Sequence, residues 1–597
     1  MREFTVPRIY TVPDERNVTH PIYELLEQDP TQPALAKLVD GNWCSVSLGD
    51  FIAETRALAK GLVAAGIEPG DRVAVMARTR YEWTVVETAI ATAGAVLVPI
   101  YETSSAEQVW WILTDSGAKG LVVENDRHVA LVHEALHDAA DALMTWVIDN
   151  GDLDDLAGSG GHLTDADLDA RRLGRTAADL TMIIYTSGTT GRPKGCALDN
   201  RGSLSYLGNL MPAGMDRAFA PGTSTLLFLP LAHSFAQVIA SGALAQRVRL
   251  GHCPDMKQVG AELPRFTPEL VLSVPRVFEK LYNTAKHKAQ AEGKGRIFDH
   301  AEKVAIRYSE ALDSGGPGPV LRADHALLDK LVYTKIRDAV GGRLAWAISG
   351  GAPLGARLGH FFRGVGLTVL EGYGLTETTA GGTANLPGQQ RVGSVGRPIP
   401  GMSIRIADDG EILMKGDLVF SGYWNNEDAT KESFTSDGWF KTGDVGHLDD
   451  EGYLFITGRK KELIVTAAGK NVAPAVLEDR LRAHPLVSQC IVVGDSRPYI
   501  AALVTIDLES FDIWKTDNHI GADVPLADLL EDPRLLAAIQ AGVDDANKAV
   551  SQAEAIKRFR LLDVDFTEAG GELTPTLKLK RNVVLKEHAG HVEALYA

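Results

Sequence analysis

Between Asp71 and Asn125, short unbroken apolar runs take turns with longer segments of helical spacing. Val73–Met76 predicts a buried strand, Tyr81–Ala93 a helix and Ala95–Ile100 a second strand; Ala106–Asp115 predicts another helix and Gly120–Val123 a third strand. Strands that alternate with helices pack as a parallel sheet covered on both faces, so the pattern predicts an α/β fold. Leu226–Leu229, Leu270–Val274 and Ala345–Ser349 are further strand-like runs. Ligands of open α/β sheets gather at the carboxyl ends of strands, which makes the residues after these runs candidates for chemistry.

The pattern changes twice. Tyr282–Val340 is charged and helical in spacing, broken by Asp313-Ser-Gly-Gly-Pro-Gly-Pro319, and predicts a helical insertion between core strands. Its Lys and Arg residues suit either a solvated face or a membrane surface. After Gly401 the spacing becomes that of short strands joined by turns at Asp409-Gly410 and Glu451-Gly452, a small β-rich region. The 597 residues exceed what one core holds, so two or more domains are expected.

Composition narrows the function classes. With 45% apolar and 23% charged residues the chain reads as globular. Its formal charge of −18 argues against nucleic acid as a partner and also opposes anionic substrates, so local cations matter. Cys44, Cys196, Cys253 and Cys490 are scattered without paired spacing, which suits a reducing, cytoplasmic setting. The amino terminus lacks an apolar signal core. The apolar stretch Val85–Tyr101 is interrupted by Glu87, Gly94 and Pro99, and so predicts a helix and a strand rather than a membrane span.

The densest chemistry lies in Tyr185-Thr-Ser-Gly-Thr-Thr-Gly-Arg-Pro-Lys-Gly195, directly after the apolar Met182-Ile-Ile184. Glycines admit close backbone approach, hydroxyls and free N–H groups donate, and Lys194 adds a point charge: a set suited to polyphosphate. The spacing is neither the Walker loop nor the dinucleotide fingerprint. A plain polar turn is the other reading of this segment alone.

This run resembles the phosphate loop of the adenylate-forming superfamily, and further segments resemble that family in its order. They are Ser349-Gly-Gly-Ala352, Glu371-Gly-Tyr-Gly-Leu-Thr-Glu-Thr378, Asp437-Gly-Trp-Phe-Lys-Thr-Gly-Asp444, Gly458-Arg-Lys-Lys-Glu-Leu-Ile464 and Glu572-Leu-Thr-Pro-Thr-Leu-Lys-Leu-Lys-Arg581. Leu229-Pro-Leu-Ala-His-Ser-Phe235, Ser273-Val-Pro-Arg-Val-Phe-Glu-Lys280 and Thr574-Pro-Thr-Leu-Lys-Leu-Lys580 are most similar to long-chain fatty acyl-CoA synthetases. The last of these lacks the family's usual Ser-Gly before the lysine.

The resemblance implies a large N-terminal AMP-binding domain (1–457), a hinge (458–461) and a small mobile α/β C-terminal domain (462–597). It implies ATP, Mg²⁺ and CoA as cofactor and co-substrates, and a two-step reaction through an acyl-adenylate. Thr186, Ser187, Gly188, Thr189, Thr190, Gly191 and Lys194 would hold phosphates. Gly350, Gly351, Ala352, Glu371, Gly372, Tyr373 and Gly374 would surround adenine, with Tyr373 stacking on it. Glu377 would bind the metal, Thr376 the α-phosphate, and Asp444 and Arg459 the ribose or phosphates. His233 would sense the α-phosphate or border the acyl tunnel, or simply be packed. Lys578 would be the mobile catalytic lysine, with Lys580 competing for that role. Lys461 would be the pivot, and Gly469 would line the pantetheine passage or form a tight turn. Gly381 and Gly382 would leave room for the acyl chain. His588 and His591, although spaced as H-x-x-H, read as a solvated tail. Two other functions stay open: a fatty acyl-AMP ligase serving a carrier protein, and a noncatalytic acyl or nucleotide sensor. Peripheral membrane contact and oligomeric state also stay open.

Overall fold

The computed structural model describes residues 1–186, 192–467, 470–574 and 578–597. Among them the strands form sheets of seven, nine, five and three strands, plus a two-stranded ribbon. The seven-stranded sheet has Val96–Ile100 at its centre; Arg72–Met76 lies next to it, with Val96–Ile100 and Gly120–Val123 parallel on either side. These runs are buried because helices cover both faces; Tyr81–Thr92 buries Trp83, Val86 and Ala89 completely. Leu180–Thr186 joins Val96–Ile100 in parallel and pairs antiparallel with Lys194–Asp199, so that Thr186 lies opposite Lys194.

The nine-stranded sheet carries the other half of the large domain. Ser224–Leu227, Leu270–Ser273, Trp346–Ser349 and Thr368–Tyr373 run parallel in that order. Ser349 is the register partner of Glu371, so the chain leaves these two strands side by side and in the same direction. The chain is thus α/β, with ligand-facing turns at the strand ends.

The expected helical region is built of helices Pro275–Ala291, Gly295–Leu312 and Pro319–Leu328, the last running on through Asp338. It begins earlier than the spacing suggested, because Pro275 sits in the first turn, where a missing N–H costs nothing. The five-stranded sheet takes four strands from 402–459, and its edge strand is Glu3–Thr5, which pairs antiparallel with Met402–Ile406. Three residues carry no readable periodicity, so sequence reasoning missed this strand.

After Arg459 a short turn, Lys460–Glu462, leads into a separate core. Here Val487–Val493, Ile500–Ile506 and Ile556–Leu562 form the three-stranded sheet. Its two faces divide by alternation: Cys490, Val492, Ala502 and Val504 face one cluster, and Ile491, Val493, Ala501 and Leu503 face the other. Helix Arg581–Glu587 closes the second cluster through Val584. His588 packs its ring against Phe566 at 5.5 Å, so it belongs to this layer rather than to a solvated tail. Arg276 crosses to this unit, reaching Ser488 Oγ at 3.0 Å and Asp507 Oδ2 at 3.3 Å. His287 and Ser510 meet at 3.3 Å across the same boundary.

Candidate active site

The site is assembled from the ends of parallel strands. Trp346–Ser349 ends in Gly350-Gly351-Ala352, and Thr368–Tyr373 ends in Gly374 and the short turn Thr376–Thr378. Gly350 packs under Phe235; a Cβ there would lie 2.8 Å from the ring. Gly351 has φ +85°, and a Cβ on it would lie 3.2 Å from Lys578 Cε and 3.7 Å from Nζ. Only glycine satisfies both the backbone angle and that approach. Lys578 therefore rests against the end of the large domain's strand, although 226 residues of sequence lie between them.

Two hydrogen bonds tie Lys578 to Thr574. Thr574 N–H donates to the Lys578 carbonyl at 2.8 Å, and Lys578 N–H donates to Thr574 Oγ1 at 3.0 Å. Lys580, the competing residue, instead opens helix Arg581–Glu587, and its N–H donates to the Glu572 carbonyl at 2.7 Å.

Asp444 and Arg459 are register partners on adjacent strands, so pairing places their side chains together. Arg459 Nε lies 3.0 Å from Asp444 Oδ1, and Tyr373 OH donates to Oδ2 at 2.5 Å. Asp444 is 4% exposed, so these two bonds hold a buried anion. Burial and neighbouring Arg459 push the Lys578 ammonium down to about 8, with Asp444 opposing. Burial, reinforced by Lys578, pushes His233 down to about 3, so its imidazole is neutral. His233 caps helix Ser234–Ala245: its Nδ1 accepts from Phe235 N–H at 3.1 Å, which leaves the proton on Nε2. Lys578, Arg459, Asp444, Tyr373 and His233 thus gather around the Gly350–Gly351 turn.

A second group adjoins it. Thr376 Oγ1 lies 3.4 Å from Ser234 Oγ, both buried. Glu377 accepts from Tyr423 OH at 2.8 Å through Oε1, and Lys194 Nζ lies 5.0 Å from the centre of the Tyr423 ring. Among the described residues the other Glu377 oxygen accepts no hydrogen bond, and no group of three His, Cys, Asp or Glu side chains could cage a metal. A lone carboxylate with a spare oxygen fits a hard cation that completes its shell from substrate phosphates and water.

Glu371 is placed differently from its neighbours. It is buried, burial pushes its carboxyl up to about 7, and Oε1 accepts from Leu354 N–H at 3.0 Å. It ties down the turn that carries Gly350, Gly351 and the exposed Ala352. Gly372 lies in register with Ala384, and Gly374 sits close under the Ala380 carbonyl. Ser187–Gly191 and Gly469 lie outside the described residues. Lys461 is exposed in the turn after Arg459, while its neighbour Lys460 ties that turn to the large domain through Asp409 at 2.6 Å and Glu411 at 2.9 Å. The expected room at Gly381 and Gly382 is filled: a Cβ would lie 2.4 Å from the Tyr206 ring and 2.7 Å from Met414 Cε, respectively. These glycines exist for close packing. A narrow, mainly apolar cavity lies nearby instead, lined by Tyr206, Leu207, Ser234, Gln237, Val238 and Thr379.

Tyr423 was not among the residues read from the sequence, and Phe235 and Lys460 stood in quoted motifs without a role of their own. Tyr423 meets Glu377 across 46 residues, and only the pairing of Gly422–Tyr423 with Cys196–Ala197 brings it there. No helix among the described residues is long and apolar enough to cross a membrane.

Comparison with known proteins shows the family and the fold. Residues 24–424 match the AMP-binding enzyme family, and residues 461–597 match the AMP-binding enzyme C-terminal domain. The long-chain-fatty-acid–CoA ligase FadD15 of Mycobacterium bovis is 51% identical over 605 aligned positions that cover 100% of both chains. The crystal structure of ATP-bound MatB from Rhodopseudomonas palustris is 25% identical, with a TM-score of 0.69 over 96% of this chain and 99% of that one. The adenylation domain of the carboxylic acid reductase from Segniliparus rugosus, solved with AMP and a carboxylic acid, superposes with a TM-score of 0.73 at 19% identity over 97% of this chain and 94% of that one. The chain belongs to the AMP-binding enzyme family.

Proposed function

We propose that the chain is an ATP-dependent long-chain fatty-acid–CoA ligase. A fatty carboxylate attacks the α-phosphorus of ATP, the bond to the bridging oxygen breaks, and pyrophosphate leaves. The thiol of CoA then attacks the acyl carbon of the adenylate, loses its proton, and AMP departs. No enzyme nucleophile is needed, so the work is positioning and charge stabilisation.

One observation carries this reading: the Lys578 ammonium lies against Gly351, beside the Asp444–Arg459–Tyr373 cluster. Asp444 and Arg459 supply an acceptor and a cation for the ribose and phosphates, and Tyr373 borders the adenine. Lys578 neutralises charge that develops on the α-phosphate and the departing oxygen. Thr376 and His233 Nε2–H are donors for the α-phosphate, and Thr186, Ser187 to Gly191 and Lys194 hold the outer phosphates. Glu377 would hold Mg²⁺, which supplies charge neutralisation across the phosphates when bound. The cavity beside Ser234 is where the acyl chain starts.

The same reading divides the chain at 458–461, with Lys461 the pivot about which the C-terminal domain swings and Gly469 on the face that then admits pantetheine. It sets the protein in the cytoplasm, its four cysteines being free. Helix Pro319–Leu328 and its continuation leave Val320, Leu327 and Leu331 exposed at spacings of one helical face, with Lys330 and Lys335 nearby, which supports peripheral contact with a membrane. The test is the yield of CoA thioester across acids of graded chain length, with pyrophosphate measured with and without CoA. Long-chain acids should give the highest kcat/KM, since each buried methylene contributes about 0.8 kcal/mol. Pyrophosphate release with no CoA thioester at any length would overturn the reading.

A further inference from the structure

Helix Ala106–Ser116 supplies none of the site residues described above, yet it reaches both ends of the phosphate segment. Val109, Ile112 and Leu113, on one helical face, bury it against the seven-stranded sheet. Arg72, from the strand Arg72–Met76, fixes its carboxyl end: Nε donates to the Ser116 carbonyl at 2.7 Å and Nη2 to the Gly117 carbonyl at 3.0 Å. Trp111 and Asp115 stand one turn apart on the helix, so their side chains are neighbours.

At the outgoing end of the segment, Trp111 Nε1–H donates to the Pro193 carbonyl at 2.7 Å. The bond has leverage because Arg192-Pro193-Lys194 is stiff. The proline ring fixes φ at Pro193 and disfavours a helical turn at Arg192. The peptide that follows is planar, so a fixed Pro193 carbonyl also orients the Lys194 N–H and Cα. Arg192 is drawn aside, its guanidinium 4.9 Å from the centre of the Trp111 ring and 5.2 Å from that of Trp110.

At the incoming end, Tyr185 OH donates to Asp115 Oδ2 at 2.6 Å. Burial, then that carboxylate, push the phenol well above its ordinary value, so it stays a donor. The Asp115 carbonyl lies in the last helical turn, where the ladder leaves it open. It accepts from Trp424 Nε1–H at 3.0 Å and from Asn425 Nδ2–H at 3.1 Å. Trp424 N–H donates in turn to the Gly195 carbonyl at 2.7 Å. Gly195 is boxed in by these partners: a Cβ there would lie 3.1 Å from Tyr185 Cζ and 3.3 Å from Trp424 Cβ. Since Thr186 and Lys194 are register partners, both ties act on one narrow strand pair, the pair that carries Lys194 toward Tyr423 and Glu377.

We propose that Trp111 is a positioning residue for the ligase reaction: its indole N–H, with Asp115 as second anchor, fixes the Lys194 backbone so that the ammonium meets the outer phosphates of ATP, a role for Lys194 that rests on the proposed function. A tie at this place acts on the triphosphate and not on the nucleoside. In the same reading adenine and ribose meet Tyr373, Asp444 and Arg459, which other strands hold.

The test uses the full chain. Trp111→Phe keeps a ring for Arg192 and removes the N–H, and Trp110→Phe is the neighbouring control. Thermal melting checks that both fold. Calorimetry in the presence of Mg²⁺ compares α,β-methylene ATP with AMP. We expect the analogue to bind Trp111→Phe about fivefold more weakly, the loss of one hydrogen bond, with AMP affinity unchanged and Trp110→Phe matching wild type for both. Hydrogen exchange over residues 180–199, measured without nucleotide, should quicken in Trp111→Phe alone. Should Trp111→Phe not fold, Tyr185→Phe opens the other tie and is expected to give the same pattern. Where wild type binds both nucleotides, an unchanged analogue affinity in the folded variant, a matching loss of AMP affinity or unchanged exchange overturns the inference and leaves the ligase reading standing. Wild type that binds neither nucleotide overturns the ligase reading, and the inference with it.

Discussion

At the residue scale, Lys578 is the side chain on which the proposed reaction depends most. Its replacement by alanine removes a preorganised cation, so adenylate formation should fall by about 10²–10³. Thioester formation from supplied acyl-AMP should be nearly unchanged. Rates of pyrophosphate release and of CoA-thioester formation, measured separately, decide this, and equal loss in both would remove Lys578 from the first step. The charge state adds a second outcome. Burial and Arg459 depress the ammonium to about 8, so its charged fraction falls as pH rises through that value. Since kcat/KM reports the free enzyme, kcat/KM for ATP in the adenylation step should decline above about pH 8, and Lys578→Arg should move that limb upward. Much of this site was legible before any fold was known, because Lys194, Glu377, Asp444 and Arg459 stand in motifs dense with glycine and hydroxyls. Tyr423 was not. It lies in Gly422-Tyr-Trp424, which looks like packing, and only strand pairing brings it to Glu377. Glu371 was legible as a site residue, but its burial under Leu354 was not, because motif position says nothing about which way a carboxyl turns.

At the element scale, parallel strands deliver the site because they end together. Gly351 extends Trp346–Ser349 with a positive φ, and Lys578 packs on its open side. Gly351→Ala strains the backbone by about 1–2 kcal/mol and pushes the lysine back. Adenylation should fall by about tenfold or more, while the melting temperature changes little; an unchanged pyrophosphate rate would show that the contact is incidental. The strand before Gly350 was readable as an unbroken apolar run, since burial on both faces erases alternation, whereas Thr368–Tyr373, with Glu371 and Gly372 inside it, was not read as a strand. Gly381 and Gly382 misled for the opposite reason. A glycine signals that something comes close, and here it is Tyr206 and Met414 rather than a ligand.

At the scale of the whole molecule, the arrangement of the two cores determines whether Lys578 is present at the site. Arg276 helps fix it by reaching Ser488 and Asp507, and neither partner is evident from the local sequence around Arg276. Arg276→Ala removes these cross-boundary bonds, each contributing about 1 kcal/mol. It should lower the adenylation rate severalfold and leave thioester formation from acyl-AMP less affected; an equal change in both half-reactions would count against this role. The α/β class and the change of pattern after Gly401 were visible in hydrophobic spacing, whereas the mutual placement of the cores was not, since it depends on a few polar contacts between distant residues.

The strand Glu3–Thr5 has a practical corollary. It covers the outer rim of the sheet whose far side ends in Arg459, and Glu3 also pairs with Arg405 at 2.7 Å. Trimming the first six residues would bare the ladder of Met402–Ile406, an invitation to intermolecular zippering. Such a shortened chain should precipitate sooner on warming and hold AMP less tightly, as light scattering and nucleotide titration would register, although the deleted segment never meets the ligand.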